Sequence, residues 1–249
     1  MQIIACYSNK GGVGKTATAV NLAYAFAASG QRTLLCDLDP QGASGFYFRV
    51  KPSKKLTDAR FFEDDARFTD AIRGSDYDGL DILPANMSFR DFDSFLSQMK
   101  NSQSRLKKAL KAVKSDYDVV VLDCPPNIST LSESIFAAAD AVVVPVIPTT
   151  LSQRTFEQLL DFFREAKLPE ERIHAFFSMV QSVKTLHSDT MAEMSGAYPG
   201  HFVQATIPSA SEVERMGLAR APLLATAPAS RAGKAYQALF EEIRQRTSE

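Results

Sequence analysis

An apolar stretch, Ile3-Ile4-Ala5-Cys6-Tyr7, runs directly into Ser8-Asn9-Lys10-Gly11-Gly12-Val13-Gly14-Lys15-Thr16 and then into an alanine-rich segment. Strand, glycine-rich turn and helix in this order commit the start of the chain to a β-loop-α unit, the setting in which a phosphate-binding loop works. Gly11, Gly12 and Gly14 let the backbone turn tightly and bring its N–H groups against phosphate oxygens. Lys15 is placed to reach the outer phosphates as a point charge, and the Thr16 hydroxyl to ligate Mg²⁺. Val13 and Ala17 complete the loop, and the helix starting near Gly14 adds its positive dipole end. The pattern G-x-x-x-x-G-K-[ST] is met with Asn9 in place of the first glycine. The variant gains a second lysine, Lys10, which points away from its own phosphates and can reach a phosphate presented by a facing subunit. The competing reading, a glycine-rich turn that binds nothing, is opposed by the strand before it and the helix after it.

Further along, continuous apolar runs alternate with helical segments. Residues 2–7, 33–36, 80–83, 119–122, 141–144 and 175–177 read as strands buried on both faces of a parallel sheet, with 202–203 as a further short one. Helices are expected at 14–29, closed by Gly30, and near 103–115, 130–139, 152–166 and 231–246. The expected fold is α/β: a doubly wound, mostly parallel sheet with helices on both faces, one domain over 1–249, and the ligand at the carboxyl ends of the strands. The stretch 49–79 is charged and irregular and reads as an insertion. A chain of 249 residues, 45% hydrophobic and 23% charged, suits one compact domain with a large core. Its formal net charge of -1 gives no general attraction to nucleic acid, so any such binding needs a local patch. Cys6, Cys36 and Cys124 sit in apolar runs, which argues for a reducing cytosol and against disulfides. The three histidines carry no metal-ligand spacing. No stretch has the length of a transmembrane helix, and Met1 leads straight into the first strand, so the expected location is cytoplasmic.

Two more strand ends carry carboxylates. The second strand ends in Cys36-Asp37-Leu38-Asp39-Pro40-Gln41-Gly42, where an acidic group can orient water for attack on a γ-phosphate or hold metal-bound water. The fourth ends in Leu122-Asp123-Cys124-Pro125-Pro126, an apolar run closed by an aspartate that reaches the Mg²⁺ shell. Either motif alone also describes a strand-to-loop turn with solvated aspartates; the phosphate loop gives both their meaning.

The run Lys10-Gly11-Gly12-Val13-Gly14-Lys15-Thr16 resembles the deviant Walker A loop of the ParA/MinD family of dimerising P-loop ATPases. D-x-D-P-Q-G at 37–42 resembles that family's switch I, and D-C-P-P at 123–126 its switch II. Phe177-Ser178-Met179-Val180 and Thr206-Ile207-Pro208 are similar to the segments that enclose the adenine. Residues 211–223 and 235–239 resemble the closing loop and final helix, so the likeness covers nearly the whole chain. The resemblance implies ATP and Mg²⁺ as cofactors and a homodimer formed across two nucleotides. It also implies nonspecific binding of nucleoid DNA, and hydrolysis stimulated by a partner protein so that a plasmid, chromosome or protein assembly is moved. It implies that Lys10 acts across the dimer, Lys15 on its own nucleotide, and Asp39 on the attacking water with Asp37 in support. Thr16, Asp39 and Asp123 would surround the metal, and Met179 and Pro208 the base.

Departures from the family pattern are Ala17, where Thr or Ser is usual, and Ser209, Glu212 and Val183, where DNA-binding members often carry arginine. The DNA-facing residues expected here are Arg215, Arg220, Arg231 and Lys234, because the segment around them resembles the family's DNA-facing region. Arg105, Lys107, Lys108, Lys111 and Lys114 read as a solvated helix face. Tyr236, Leu239, Phe240 and Ile243 recur at helical spacing as a helix packed on the core, and not as a membrane anchor. No N-terminal extension carries a helix-turn-helix, so operator-specific repression is not expected. A metabolic ATP-dependent synthetase on the same scaffold is expected to need a further catalytic domain, and a metal-delivery protein a Cys-x-x-Cys pair.

Overall fold

The computed structural model describes residues 1–52, 65–85 and 102–247. β1 (Gln2–Cys6) passes through the glycine turn into α1 (Lys15–Ala28), whose exit at Gly30 takes φ +89°, the left-handed conformation that ends helices. β2 (Thr33–Asp37), α2 (Ala43–Tyr47), α3 (Asp65–Ala71), β3 (Arg73–Gly74), β4 (Leu80–Leu83) and α4 (Ser102–Lys111) follow. Next come β5 (Val119–Asp123), α5 (Thr130–Ala138), β6 (Ala141–Val146), α6 (Thr150–Glu165), β7 (Ile173–Val180) and α7 (Thr185–Ala197). β8 (Phe202–Pro208), α8 (Ser211–Ala219), α9 (Leu223–Thr226) and α10 (Arg231–Thr247) complete the order.

Among the described residues the strands form one sheet in the order β3-β4-β2-β5-β1-β6-β7-β8. Every pairing is parallel except β3 with β4. Side chains alternate between two cores, as the two-residue strand period requires. Ile3, Ala5 and Tyr7 face the layer of α4, α5 and α6, whereas Ile4 and Cys6 face α1 and α10. The sheet is therefore covered on both faces, and the fold is the doubly wound α/β arrangement. Because β1 lies between β5 and β6, and β5 also pairs with β2, the carboxyl ends of β1, β2 and β5 stand side by side. That adjacency brings the phosphate loop and both acidic strand ends together.

Several elements differ from expectation. β8 runs to Pro208, paired with β7 as far as Val180; as an edge strand it carries exposed Gln204, which breaks the apolar run that marks a central strand. The exposed edge is blunted by Glu242 of α10, whose carboxylate accepts from the backbone N–H groups of Gln204 and Ala205, both at 2.7 Å. β7 extends on both sides of its expected core through His174 and Ser178, polar residues that are nevertheless buried. The helices α2, α3, α7, α8 and α9 were not anticipated. Of the 49–79 stretch, α3 and the antiparallel β3 belong to the fold, and 53–64 lie outside the described residues. Helix α4 buries Leu106, Ala109 and Leu110 and exposes Lys107, Lys108 and Lys111, a solvated basic face.

Candidate nucleotide-binding site

The phosphate loop is held from below before any ligand enters. The Ser178 hydroxyl, at the end of β7, donates to the Val13 carbonyl at 2.9 Å, and Thr18 donates to the Gly14 carbonyl at 2.8 Å. Gly12 and Gly14 take φ +71° and +97°, and a Cβ on Gly14 would lie 3.3 Å from Ser178 Oγ, so a side chain there is disfavoured twice. α1 begins at Gly14 with no side-chain cap and no acidic residue in its first turn. Its leading N–H groups face an open cavity of 420 Å³ bordered by Gly11, Gly12, Lys15, Thr16 and Ala17. A helix start of this kind attracts an anion.

The two lysines of the loop diverge. Lys15 is buried beside the cavity, and its Nζ donates to the Lys10 carbonyl at 3.3 Å. Burial lowers its pKa, and the nearby carboxylates of Asp123 and Asp39 oppose that shift. Lys10 does not line the cavity. Its Nζ donates to Ser152 Oγ at 3.1 Å, and Ser152 in turn lies 3.0 Å from the Thr149 hydroxyl at the start of α6. Val13 also turns from the cavity, with its side chain buried and only its carbonyl engaged.

Asp37 and Asp123 are register partners at the ends of β2 and β5, both fully buried. Asp37 does not border the cavity. Its carboxylate accepts from the backbone N–H groups of Ser44 at 2.9 Å, Gly45 at 3.3 Å and Asp39 at 3.2 Å, so it organises the loop that carries Asp39. Asp39 does reach the cavity wall. The Ser44 hydroxyl donates to Asp123 Oδ2 at 2.8 Å. Burial raises both carboxyl pKa values above the ordinary range, and the Asp123 charge raises Asp37 further. Ser44 and Thr16 lower that of Asp123. Among the described residues Asp123 Oδ1 finds no hydrogen-bond donor, an orphaned buried oxygen beside the Thr16 hydroxyl. A cation meets that need, and the donor set suits Mg²⁺, which keeps waters and phosphate oxygens and takes few protein ligands.

Met179 and Pro208 also line the cavity, with Tyr236 of α10 and Glu214 of α8. Met179 takes φ +54°, uncommon for a non-glycine residue, and remains 38% exposed. Arg215, Arg231 and Lys234 are exposed and form no ion pair among the described residues. Arg220 is engaged elsewhere: its guanidinium lies 4.7 Å over the Phe46 ring, and its Nε donates to the Phe46 carbonyl at 3.1 Å. Tyr236, Leu239, Phe240 and Ile243 are buried against the core, and no described helix is long and apolar enough to cross a membrane. Sequence reasoning missed Ser44, whose bonds depend on β2 and β5 being neighbours, and Tyr47 and Glu214, which helices bring to the cavity wall.

Fold and site together define a P-loop nucleotide-binding protein. Residues 1–174 match the AAA_31 family model, described as an AAA domain. The sporulation initiation inhibitor protein Soj of Bacillus subtilis is 30% identical, over 97% of this chain and 98% of Soj. The chromosome partitioning protein ParA of Myxococcus xanthus is 27% identical, over 98% of this chain and 88% of that one. Among solved structures, cobyrinic acid a,c-diamide synthase from Mycobacterium smegmatis with a bound ATP analogue and magnesium superposes with a TM-score of 0.83 at 25% identity. It is covered over 96% of its length by 100% of this chain. The chain belongs to the ParA/Soj group of the AAA_31 family of P-loop ATPases.

Proposed function

We propose that this protein is a partition-type ATPase that pairs with a second copy of itself across two ATP molecules, binds DNA without sequence preference, and moves a cargo when a partner protein stimulates hydrolysis. The divergence of the two loop lysines carries the reading. Lys15 serves the chain's own cavity, while Lys10 leaves it and stands at the start of α6. Leu151, beside Ser152, is 70% exposed, and Ile128, in the loop after β5, is 41% exposed; both lie past the carboxyl ends of strands, where a facing copy would cover them. The family relatives Soj and ParA match nearly end to end.

In this mechanism the N–H groups of Gly11, Gly12 and Gly14 and the Lys15 ammonium bind the phosphates. Thr16 and Asp123 would hold the cation, with Asp39 nearby, and Mg²⁺ would supply charge neutralisation for the phosphates. Asp39 orients the attacking water, and Asp37 fixes Asp39 through its backbone N–H. Met179 and Pro208 enclose the base. Arg215, Arg231 and Lys234 meet DNA phosphates, and the paired form doubles that patch, which places the protein on the nucleoid of the cytoplasm. Lys10→Ala should bind ATP through Lys15 yet remain a monomer by light scattering; a variant that dimerises like wild type would sink the sandwich model.

The solved synthase structure favours a second reading, an ATP-dependent metabolic enzyme. This chain spans 96% of that chain, so length does not separate the two readings as expected from sequence. Nucleotide-dependent dimerisation and a gel shift with random duplex do: the synthetase reading predicts neither.

A further inference from the structure

Helix α2 has two working sides. Ala43 and Tyr47 line the cavity, and buried Ser44 bonds Asp123 through its hydroxyl and Asp37 through its backbone N–H. On the opposite side, two arginines close a reciprocal clamp. Arg220, the residue that ends α8, donates from Nε to the Phe46 carbonyl at 3.1 Å and lays its guanidinium over the Phe46 ring. Arg49, just past α2, donates from Nη1 to the Arg220 carbonyl at 2.8 Å and from Nε to Asp76 in the β3–β4 turn at 3.0 Å. Both arginines adopt left-handed backbone, φ +59° at Arg49 and +49° at Arg220. Long side chains hold that conformation only where surrounding contacts over-determine it. α8 also borders the nucleotide cavity through Val213 and Glu214, so the clamp joins two walls of one site.

We propose that Arg220 and Arg49 are positioning residues: Arg220 by gripping Phe46, and Arg49 by tying the Arg220 carbonyl to Asp76, hold the Ala43–Tyr47 helix, and with it Ser44 and the Asp39 loop, in the arrangement that hydrolysis requires. The proposal rests on the ATPase reading for its catalytic consequence but not for the clamp itself. On this proposal Arg220 acts at Phe46 and not as one of the DNA-facing residues.

The test uses the full chain with Arg220→Ala, Arg220→Lys and Phe46→Leu. In nucleotide-free protein, the first and last should speed hydrogen exchange at the Ser44–Val50 amides. With MgATP they should lower kcat about fivefold while KM moves less than about twofold, the signature of lost positioning and not of lost binding. Arg220→Lys, which keeps the cation over the ring, should restore part of the rate. Phe46→Leu leaves every arginine in place, so a DNA-contact role for Arg220 predicts no effect of it on exchange or kcat. Wild-type exchange in both Arg220→Ala and Phe46→Leu would overturn the clamp, as would a loss confined to DNA binding in Arg220→Ala. Were wild type to hydrolyse no ATP, the ATPase reading would fail, and the exchange data would still decide the clamp.

Discussion

Ser44 offers the most direct probe of the metal side of the site. Its hydroxyl donates to Asp123 Oδ2 at 2.8 Å, and Oδ1 of the same buried carboxyl has no donor among the described residues. Ser44→Ala removes this bond and leaves the Asp37 contacts, which use the Ser44 backbone, intact. A hydrogen bond to a charged group contributes about 2 kcal/mol, against about 1 kcal/mol when the partner is neutral. For a chain of this size the charged value corresponds to a Tm loss of roughly 4–8 °C. The sign with pH follows from the Asp123 carboxyl, which burial pushes up to about 6. A folded pKa above the unfolded one means that stability is greatest at low pH and falls as pH rises through the folded value. Ser44→Ala raises that folded value further, so its deficit should be about 1 kcal/mol at pH 5, where Asp123 is mostly neutral in both proteins, and about 2 kcal/mol at pH 8. Thermal unfolding of nucleotide-free protein at the two pH values reads this out. Equal Tm losses at pH 5 and pH 8 would refute the reasoning, because the missing bond would then not be one to a carboxylate.

Asp39→Ala should bind ATP, dimerise and persist as the dimer while phosphate release falls ~10²–10⁴-fold; turnover at the wild-type rate assigns the water to another residue. His174 is buried, and burial first, then the charge of Arg246, lowers its pKa to about 4. The unfolded chain therefore takes up this proton first as pH falls. Stability is complete above the ordinary value of 6.5 and drops by about 3 kcal/mol on the way to pH 4. In urea titrations His174→Gln should flatten that slope, and an unchanged slope shows the group to be irrelevant. Arg231→Glu combined with Lys234→Glu should abolish ATP-dependent binding of random duplex, itself steeply weakened by salt, while basal ATP hydrolysis continues; no shift by wild type at micromolar dimer would remove DNA from the mechanism.

The phosphate loop was legible because its constraint is local. Turning a backbone around phosphate needs left-handed residues, and glycine at 12 and 14 declares them. Central strands were legible for the same reason: β1, β2, β5 and β6 are buried on both faces, so their sequences are unbroken apolar runs. Edge strands were legible only in part: β3 escaped, and β8 was read as 202–203 alone, since one side of it meets solvent and a helix carboxylate. The short helices α2 and α9 escaped because four or five residues carry too little periodicity to register.

Residue chemistry along the chain established which groups stand at strand ends: Lys10, Lys15, Asp37, Asp39 and Asp123. Their division of labour came from the tertiary structure, which set β2 beside β5 and so buried Asp37 against Asp123. The same packing turned Asp37 into a holder of backbone N–H groups, sent Lys10 to Ser152 and committed Arg220 to Phe46. The physical reason is range. Backbone conformation and burial on a central strand are written in neighbouring residues, whereas a charged side chain takes its role from whichever partner the strand order brings within hydrogen-bond distance. For Ser44 and Asp123 that partner lies 79 positions away along the chain.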